Sequence, residues 1–224
     1  MSTHVDPEFA GRRVEYTGDG LSESQLRPTP AEQFRAWYAD AAEAGGESNA
    51  MVLATAGEEG PSARIVLLKG FDAEGFCFYT NYGSAKAADI ATDDRVALVF
   101  PWHHLQRQVR VSGRAVKAPA ERSDAYFASR DRFSRLTAWA SQQSRPAEGR
   151  AQLDAQLAQV ESRFGAGDVP RPEFWGGYIV QPREIEFWAG RLGRFHDRLV
   201  FRRRGEAPAS LEDAAGWEVL RRQP

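Results

Sequence analysis

The sequence predicts a mainly β protein, a barrel with helices packed around it, and three observations carry that reading. Apolar residues alternate with period two in about seven or eight short segments, the pattern of strands with one buried face. Turn residues punctuate those segments at short intervals, which suits antiparallel neighbours in a barrel. Only a few stretches switch to the helical period, and no Pro-, Gly- and Ser-rich linker divides the 224 residues, a length that one barrel-type domain can fill.

Residues 1–28 are polar and aperiodic, and read as a flexible N-terminal arm ahead of a single domain over 29–224. Thr29-Pro30-Ala31-Glu32 marks a helix start: threonine caps, proline suits the first helical position, and Glu32 stands where a capping box places its acid. Phe34, Trp37, Tyr38 and Ala41 form the buried face until Gly45-Gly46 stops the helix. From Ala50 the period becomes that of strands, over 51–55, 63–69 and 76–80, with turns at 57–61 and 72–75. Ser84 reads as the cap of a short helix to Ala91, and strands follow over 95–102 and 107–117. Pro119 opens a helix through Tyr126, and Leu153, Leu157, Val160 and Phe164 stripe another. Three late strands are expected over 177–180, 184–188 and 198–203, with a last short one near 217–220.

A formal net charge of −2 argues against a general nucleic-acid or membrane binder, which would carry a basic excess or a basic amphipathic helix. No apolar stretch reaches bilayer length. Residues 1–6 lack the positive-then-apolar pattern of a secretion signal, so the expectation is a soluble, cytoplasmic protein. The single cysteine, Cys77, lies in an apolar run and reads as a core thiol.

Several chemistries lack their residues. His103 and His104 are adjacent and point apart on a strand, and one cysteine makes no thiolate cluster, so no metal site is expected. G-x-G-x-x-G, a Walker loop and G-x-S-x-G are all missing. What remains is a distributed set of cations and hydroxyls, which can hold a phosphate without a glycine loop. Arg64, Lys69, Thr80, Ser84 and Lys86 are candidates for one phosphate. Tyr126 and Arg130, four apart on a helix face, with Ser134 in the next loop, suggest a second anion site. The run Glu186 to Arg198 holds Arg191, Arg194, His196 and Arg198 close to two glycines. If extended after the glycines, it places Arg194, His196 and Arg198 on one face. Each of these residues taken alone has a plainer reading, as a solvated charge or a hydrogen-bonded core group.

The same run closely resembles the C-terminal signature of the pyridoxamine 5'-phosphate oxidases. Matching segments occur in order along most of the chain: Arg64 to Lys69, Phe78 to Asn81, Phe100 to His103, Arg107 to Val109, Tyr126 to Arg130, Ala138 to Ser141, Gln143 to Pro146 and Trp175 to Tyr178. The resemblance implies an FMN-binding split β-barrel acting as a homodimer. It would oxidise pyridoxamine 5'-phosphate and pyridoxine 5'-phosphate with oxygen. By the same resemblance, FMN is held by Arg64, Ile65, Val66, Leu67, Leu68, Lys69, Tyr79, Thr80, Lys86, Gln108, Gln143, Ser144, Trp188 and Arg198, drawn from both subunits. The substrate phosphate falls to Lys69, Tyr126, Arg130 and Ser134, while Arg13 and Tyr16 close over the substrate and Arg194 and His196 lie beside its ring as the catalytic pair. The chain departs from the family pattern at Ala85, where arginine is usual, at Asp131 in place of proline, at Phe133, and at Thr137 in place of glycine. Rival readings are another split-barrel flavoenzyme with a non-phosphorylated substrate, and a protein that stores flavin or pyridoxal phosphate without turnover.

Overall fold

The structure is a computed structural model that describes Glu8, Gly11 and residues 14–224. Nine strands form one curled antiparallel sheet: β1 Ala50–Gly57, β2 Gly60–Leu67, β3 Gly70–Phe71, β4 Phe76–Asn81, β5 Arg95–Trp102, β6 Arg107–Lys117, β7 Trp175–Ala189, β8 Asp197–Arg203 and β9 Trp217–Arg221. The path runs β2-β1-β5-β6-β7-β4-β3, with β8 on β7 and β9 on β8. Within residues 14–224, five α-helices accompany it: α1 Pro30–Glu43, α2 Ala85–Thr92, α3 Ala120–Ser129, α4 Arg132–Ala140 and α5 Arg150–Phe164.

The strand that organises the molecule is β7, which was expected as two short strands and is one of 15 residues. Its first half pairs with β4, from Trp175↔Asn81 to Val180↔Phe76. Its second half pairs with β8, from Glu184↔Arg202 to Ala189↔Asp197. Continuous pairing with β6 spans both halves across a register shift at Ser112/Gly113, and such a bulge bends a strand without ending it. Pro182, between the two expected strands, sits opposite Gly113 at that bulge, where a missing N–H is tolerated.

The inward positions of β1, β5, β6, β7 and β8 supply the core: Leu53, Leu98, Phe100, Val109, Val111, Ile185, Phe187, Leu199 and Phe201 are all essentially buried. Helix α1 closes one side, its start fixed by the Thr29 hydroxyl accepting from the Glu32 N–H. Phe34 of α1 meets Phe71, Phe76 and Phe100 at centroid distances of 4.6, 4.9 and 5.1 Å, and Trp37 meets Phe187 edge-on. A second cluster forms where α3 and α4 pack near the start of β7, around Phe127, Leu136, Val169 and Trp175.

Two expected features differ. Helix α4 replaces the loop expected around Ser134. The Asp131 carboxylate accepts from the Ser134 N–H and caps a new helix. The chain does not stay extended after Arg191: Leu192–Arg194 is a turn of 3₁₀ helix, with Gly193 and Arg194 at φ of 68° and 62°. Side chains from Arg194 to Arg198 therefore do not alternate as a strand, which begins only at Asp197. The described part of the expected arm, residues 14–28, carries the buried Leu21 and a 3₁₀ turn at Glu23–Gln25.

Candidate functional site

Two clusters of the expected residues form at opposite ends of β7. The first lies where β2, β4, α2 and α3 converge. It is a cavity of about 370 Å³ lined by Arg64, Ile65, Val66, Leu67, Lys69, Tyr79, Thr80, Lys86, Tyr126, Arg130, Gln143 and Trp175. Strand alternation sends the Thr80 hydroxyl to the Lys86 ammonium at 3.2 Å, and Gln143 Oε1 accepts from both, at 2.8 Å from Lys86 Nζ and 2.9 Å from Thr80 Oγ1. Ser84, expected to cap α2, makes no cap bond; its hydroxyl accepts from Lys86 at 3.3 Å.

The hydrogen-bond partners of Lys86 are thus neutral oxygens. Burial, and secondarily the neighbouring Arg64, push its pKa below the ordinary lysine value. A desolvated cation held by dipoles alone favours an incoming anion. Arg64 stands beside it, donating to Thr55 Oγ1 at 2.7 Å and Ser62 Oγ at 2.7 Å, with Asp89 at 3.6 Å.

The other wall is aromatic. Tyr79 stacks on Tyr126 at 4.0 Å and on Trp175 at 5.4 Å, and the Arg130 guanidinium lies 4.9 Å over the Trp175 ring. Burial lowers the Arg130 pKa, and its Nη1 is buried without a hydrogen-bond partner. Arg130 is not on the helix with Tyr126, as expected, but is its extended C-cap residue. The turn away from the helix lays the guanidinium on Trp175. Trp175, quoted only as part of a motif, was missed as a lining residue; the only signal was its aromatic ring at a strand start.

The second cluster lies at the far end of β7, in a cleft of about 920 Å³ lined by Val14, Glu15, Tyr16, Trp188, Arg191, Gly193, Arg194 and His196. His196 sits against Trp188 at 4.6 Å and Tyr16 at 5.3 Å. Its Nδ1 accepts from the Arg191 N–H at 3.1 Å, which fits a neutral ring with the proton on Nε2. Burial and the nearby Arg194 charge hold its pKa below the usual histidine value. Arg194 is exposed at the lining of the cleft.

Arg198, on β8 opposite Trp188, donates to Glu186 Oε2 at 2.7 Å, so its charge is already paired with a carboxylate that is 2% exposed. Gln108 lies across β7 from the same place, paired with Trp188. Leu68 is separated from the first cluster: its side chain is in the core while Lys69 turns outward. Ser144, at φ 71°, and Ser134, on α4, stand outside both cavities. Arg13 lies outside the described residues. Among the described residues no group of histidine, cysteine or acidic side chains could hold a metal ion, and no helix is long and apolar enough to cross a membrane.

Trp175 and Trp188 lie near the two ends of β7, roughly 40 Å apart along the strand path at about 3.3 Å per residue. The two clusters share no lining residue. One end has the half-buried cations Lys86 and Arg130 and an aromatic wall, the other a histidine, an arginine and a tryptophan around a larger opening.

Comparison with known proteins gives this division a context. Residues 31–164 match the family model of pyridoxamine 5'-phosphate oxidase, and residues 175–224 that of the pyridoxine 5'-phosphate oxidase C-terminal dimerisation region. A pyridoxine/pyridoxamine 5'-phosphate oxidase of Rubrobacter xylanophilus is 54% identical over 219 residues, covering 97% of each chain. One of Kineococcus radiotolerans is 52% identical, covering 96% of this chain and 98% of its own. Among solved structures, PhzG from Burkholderia lata 383, in complex with tetrahydrophenazine-1-carboxylic acid, superposes with a TM-score of 0.82 at 27% identity, covering 93% of this chain and 100% of that one. The matches span both halves of the sheet and both clusters, and the chain belongs to the pyridoxamine 5'-phosphate oxidase family.

Proposed function

We propose that the protein oxidises pyridoxine 5'-phosphate and pyridoxamine 5'-phosphate to pyridoxal 5'-phosphate in vitamin B6 salvage, in the cytoplasm, as an FMN-bearing homodimer. With the alcohol, oxygen is reduced to hydrogen peroxide; with the amine, water is also consumed and ammonia released. The observation that carries the reading is the first cluster, where Lys86 and Arg130 are half-buried cations without a carboxylate in hydrogen-bond contact. A phosphate of flavin and a phosphate of substrate would supply the two missing anions.

The residues present fit FMN. Arg64, Thr80, Lys86 and Gln143 would hold its phosphate, with the β2 segment Ile65 to Leu67 along its body, and Gln108, Trp188 and Arg198 of the second subunit would complete the pocket. Ser144 and Leu68 enter the reading through their backbone. Two-electron chemistry, hydride uptake from C4' of the substrate and delivery of electrons to oxygen, is what FMN supplies when bound. Lys69, Tyr126 and Arg130, with Ser134 from the adjoining helix, bind the substrate phosphate. Arg194 and His196 of the other subunit orient the pyridine ring, and Tyr16, with Arg13 from the same segment, covers it. Neutral His196 can donate from Nε2 to the ring substituent without the cost of a second cation beside Arg194.

A dimer would bring together clusters that lie at opposite ends of one strand, and the match of residues 175–224 to a C-terminal dimerisation region supports it. Oxygen uptake with both phosphorylated substrates, added FMN, an absorbance spectrum and light scattering test the whole reading. A colourless monomer that FMN cannot reconstitute, or a yellow dimer without oxygen uptake, overturns it. Equal turnover of dephosphorylated pyridoxine would favour a flavoenzyme for a substrate without phosphate.

A further inference from the structure

Asp197 immediately follows His196 and opens β8, yet its side chain has no role in the reading above. It is a buried carboxylate, 7% exposed, and three separate segments donate to it. The Leu21 N–H of the N-terminal segment reaches Oδ2 at 2.9 Å. Arg191 Nε, at the root of the loop that carries Arg194 and His196, also reaches Oδ2. Arg221 of β9 reaches Oδ1 at 2.5 Å. Arg221 in turn donates to Leu21 O at 3.1 Å and to Glu23 at 2.8 and 2.9 Å. Burial alone would raise the Asp197 pKa; the bonds from Arg191, Leu21 and Arg221 outweigh it and leave the group lowered and ionised.

Gly20 brings the backbone to this carboxylate. It sits at φ +76°, and a Cβ there would collide with Arg191 Nε and Asp197 Oδ2, so only glycine lets the segment lie this close. A few residues earlier, Gln106 Oε1 accepts from the Thr17 and Gly18 N–H groups at 2.9 and 3.0 Å. Gly190, whose N–H donates to Gln106 O at 2.8 Å, makes room for the Tyr16 ring, which a Cβ would approach to 3.0 Å. The N-terminal segment is thus clipped at two points, and the ring next to the first clip, Tyr16, lies against Trp188 and His196.

We propose that Asp197 is a positioning residue that sets two things at once: the N-terminal segment that lays Tyr16 over the site, and the loop that aims Arg194 and His196. This rests on the reading of that loop as the substrate end of the site. Gly20 shares only the first task, since its substitution displaces the segment but leaves the carboxylate to hold Arg191.

The test compares Asp197→Asn with Gly20→Ala in the FMN-loaded protein, by steady-state kinetics with pyridoxine 5'-phosphate and by hydrogen exchange over residues 14–22. Both variants are expected to speed exchange at the Thr17, Gly18 and Leu21 amides and to raise KM by about 5-fold or more. Asp197→Asn should also lower kcat by about 10-fold, because a misaimed loop is costly, while Gly20→Ala keeps kcat within about twofold. Unchanged exchange and KM in Asp197→Asn overturn the proposal, as does a Gly20→Ala variant that loses as much kcat. Should Asp197→Asn fail to fold, Arg221→Gln removes one of the three donors from a half-exposed position and carries the same expectation for exchange and KM. A parent protein without turnover refutes the functional reading instead, and the exchange results still decide whether Asp197 holds the segment.

Discussion

Around Lys86 the polar and charged groups stand on regular elements, Arg64 on β2, Thr80 on β4 and Lys86 on α2, whereas Arg194 and His196 stand on a loop with two left-handed residues. The first region is held by its own ladder of backbone bonds. The second takes its shape from side-chain contacts between segments, through Asp197 beside the loop and the remote Gln106 and Arg221. A phosphate end can be rigid, because the same anion is held before and after reaction. The end that handles the ring must admit substrate and release product, and a loop clipped by separable contacts suits that task.

The sharpest way to break the comparison is to remove the groups on the loop. Arg194→Ala and His196→Ala are expected to keep the yellow colour and to lower kcat/KM for pyridoxine 5'-phosphate by roughly ten to a thousandfold, the range for groups that orient the ring and stabilise developing charge. Steady-state kinetics at saturating FMN, paired with flavin titration, reads both quantities. Because His196 titrates below the ordinary value near 6.5, the limb of kcat/KM that depends on it should lie on the acid side, with activity lost as pH falls through that lowered pKa. Full activity in both variants would remove the loop from the chemistry.

The rigid region should answer differently. Arg130→Ala is expected to raise KM for the phosphorylated substrate by roughly 10- to 100-fold, the equivalent of a charged hydrogen bond of about 1.5 to 3 kcal/mol, with flavin affinity little changed. Since Arg130 Nη1 has no partner in the protein, its loss strands no acceptor and the melting temperature should hold. A large fall in stability would mean that the stacked guanidinium serves the Trp175 wall rather than a ligand.

Legibility in the sequence followed the same division. The strands over 95–102 and 107–117 match the structure residue for residue, because alternation with one buried face is a local signal. Arg64, Thr80 and Lys86 could be grouped because each lies on such an element. The loop could not be read, since left-handed φ at Gly193 and Arg194 follows neither the strand nor the helix period, and the Asp197 bond that holds Arg191 at its root is a tertiary contact. Helix α4 was hidden for a different reason: a cap such as Asp131 is one residue, and only its bond to Ser134 reveals it. The two halves of β7 were expected as separate strands, and continuity across Pro182 shows only once a bulge is placed opposite it. The carboxylates Asp197 and Glu186 carried no functional signal at all beside the arginines that flank them.

Arg198 lies between the two regions, at the start of the rigid sheet and two residues after His196. Arg198→Ala is expected to weaken FMN retention and also to destabilise the fold by about 1 to 3 kcal/mol. It would leave the buried Glu186 with only Arg110 at 3.4 Å and Arg222 at 3.7 Å. Flavin titration and thermal melts of the apoprotein separate the two effects. Loss of flavin without loss of apoprotein stability would show that Arg198 turns from Glu186 to the ligand when FMN binds.

The smallest effect is expected at Ala85, which the family usually fills with arginine. Ala85 is exposed and is the first residue of α2, beside Lys86, which the proposal places on the flavin phosphate. An arginine here could add a charged hydrogen bond to a flavin phosphate, worth roughly 1 to 2 kcal/mol. Two terms oppose it. A cation at a helix N-terminus meets the positive end of the helix dipole, at about 0.3 to 1 kcal/mol, and Lys86 already feels the charge of Arg64. Both costs fall on the apoprotein and are relieved when the anion binds. Ala85→Arg should therefore lower the melting temperature of the apoprotein slightly while tightening FMN by about 1 kcal/mol or more, a difference that grows as salt is lowered. Fluorescence titration of apoprotein at two ionic strengths reads it. Unchanged affinity at both would mean that Arg64 and Lys86 already satisfy the phosphate, and that the alanine costs this protein nothing.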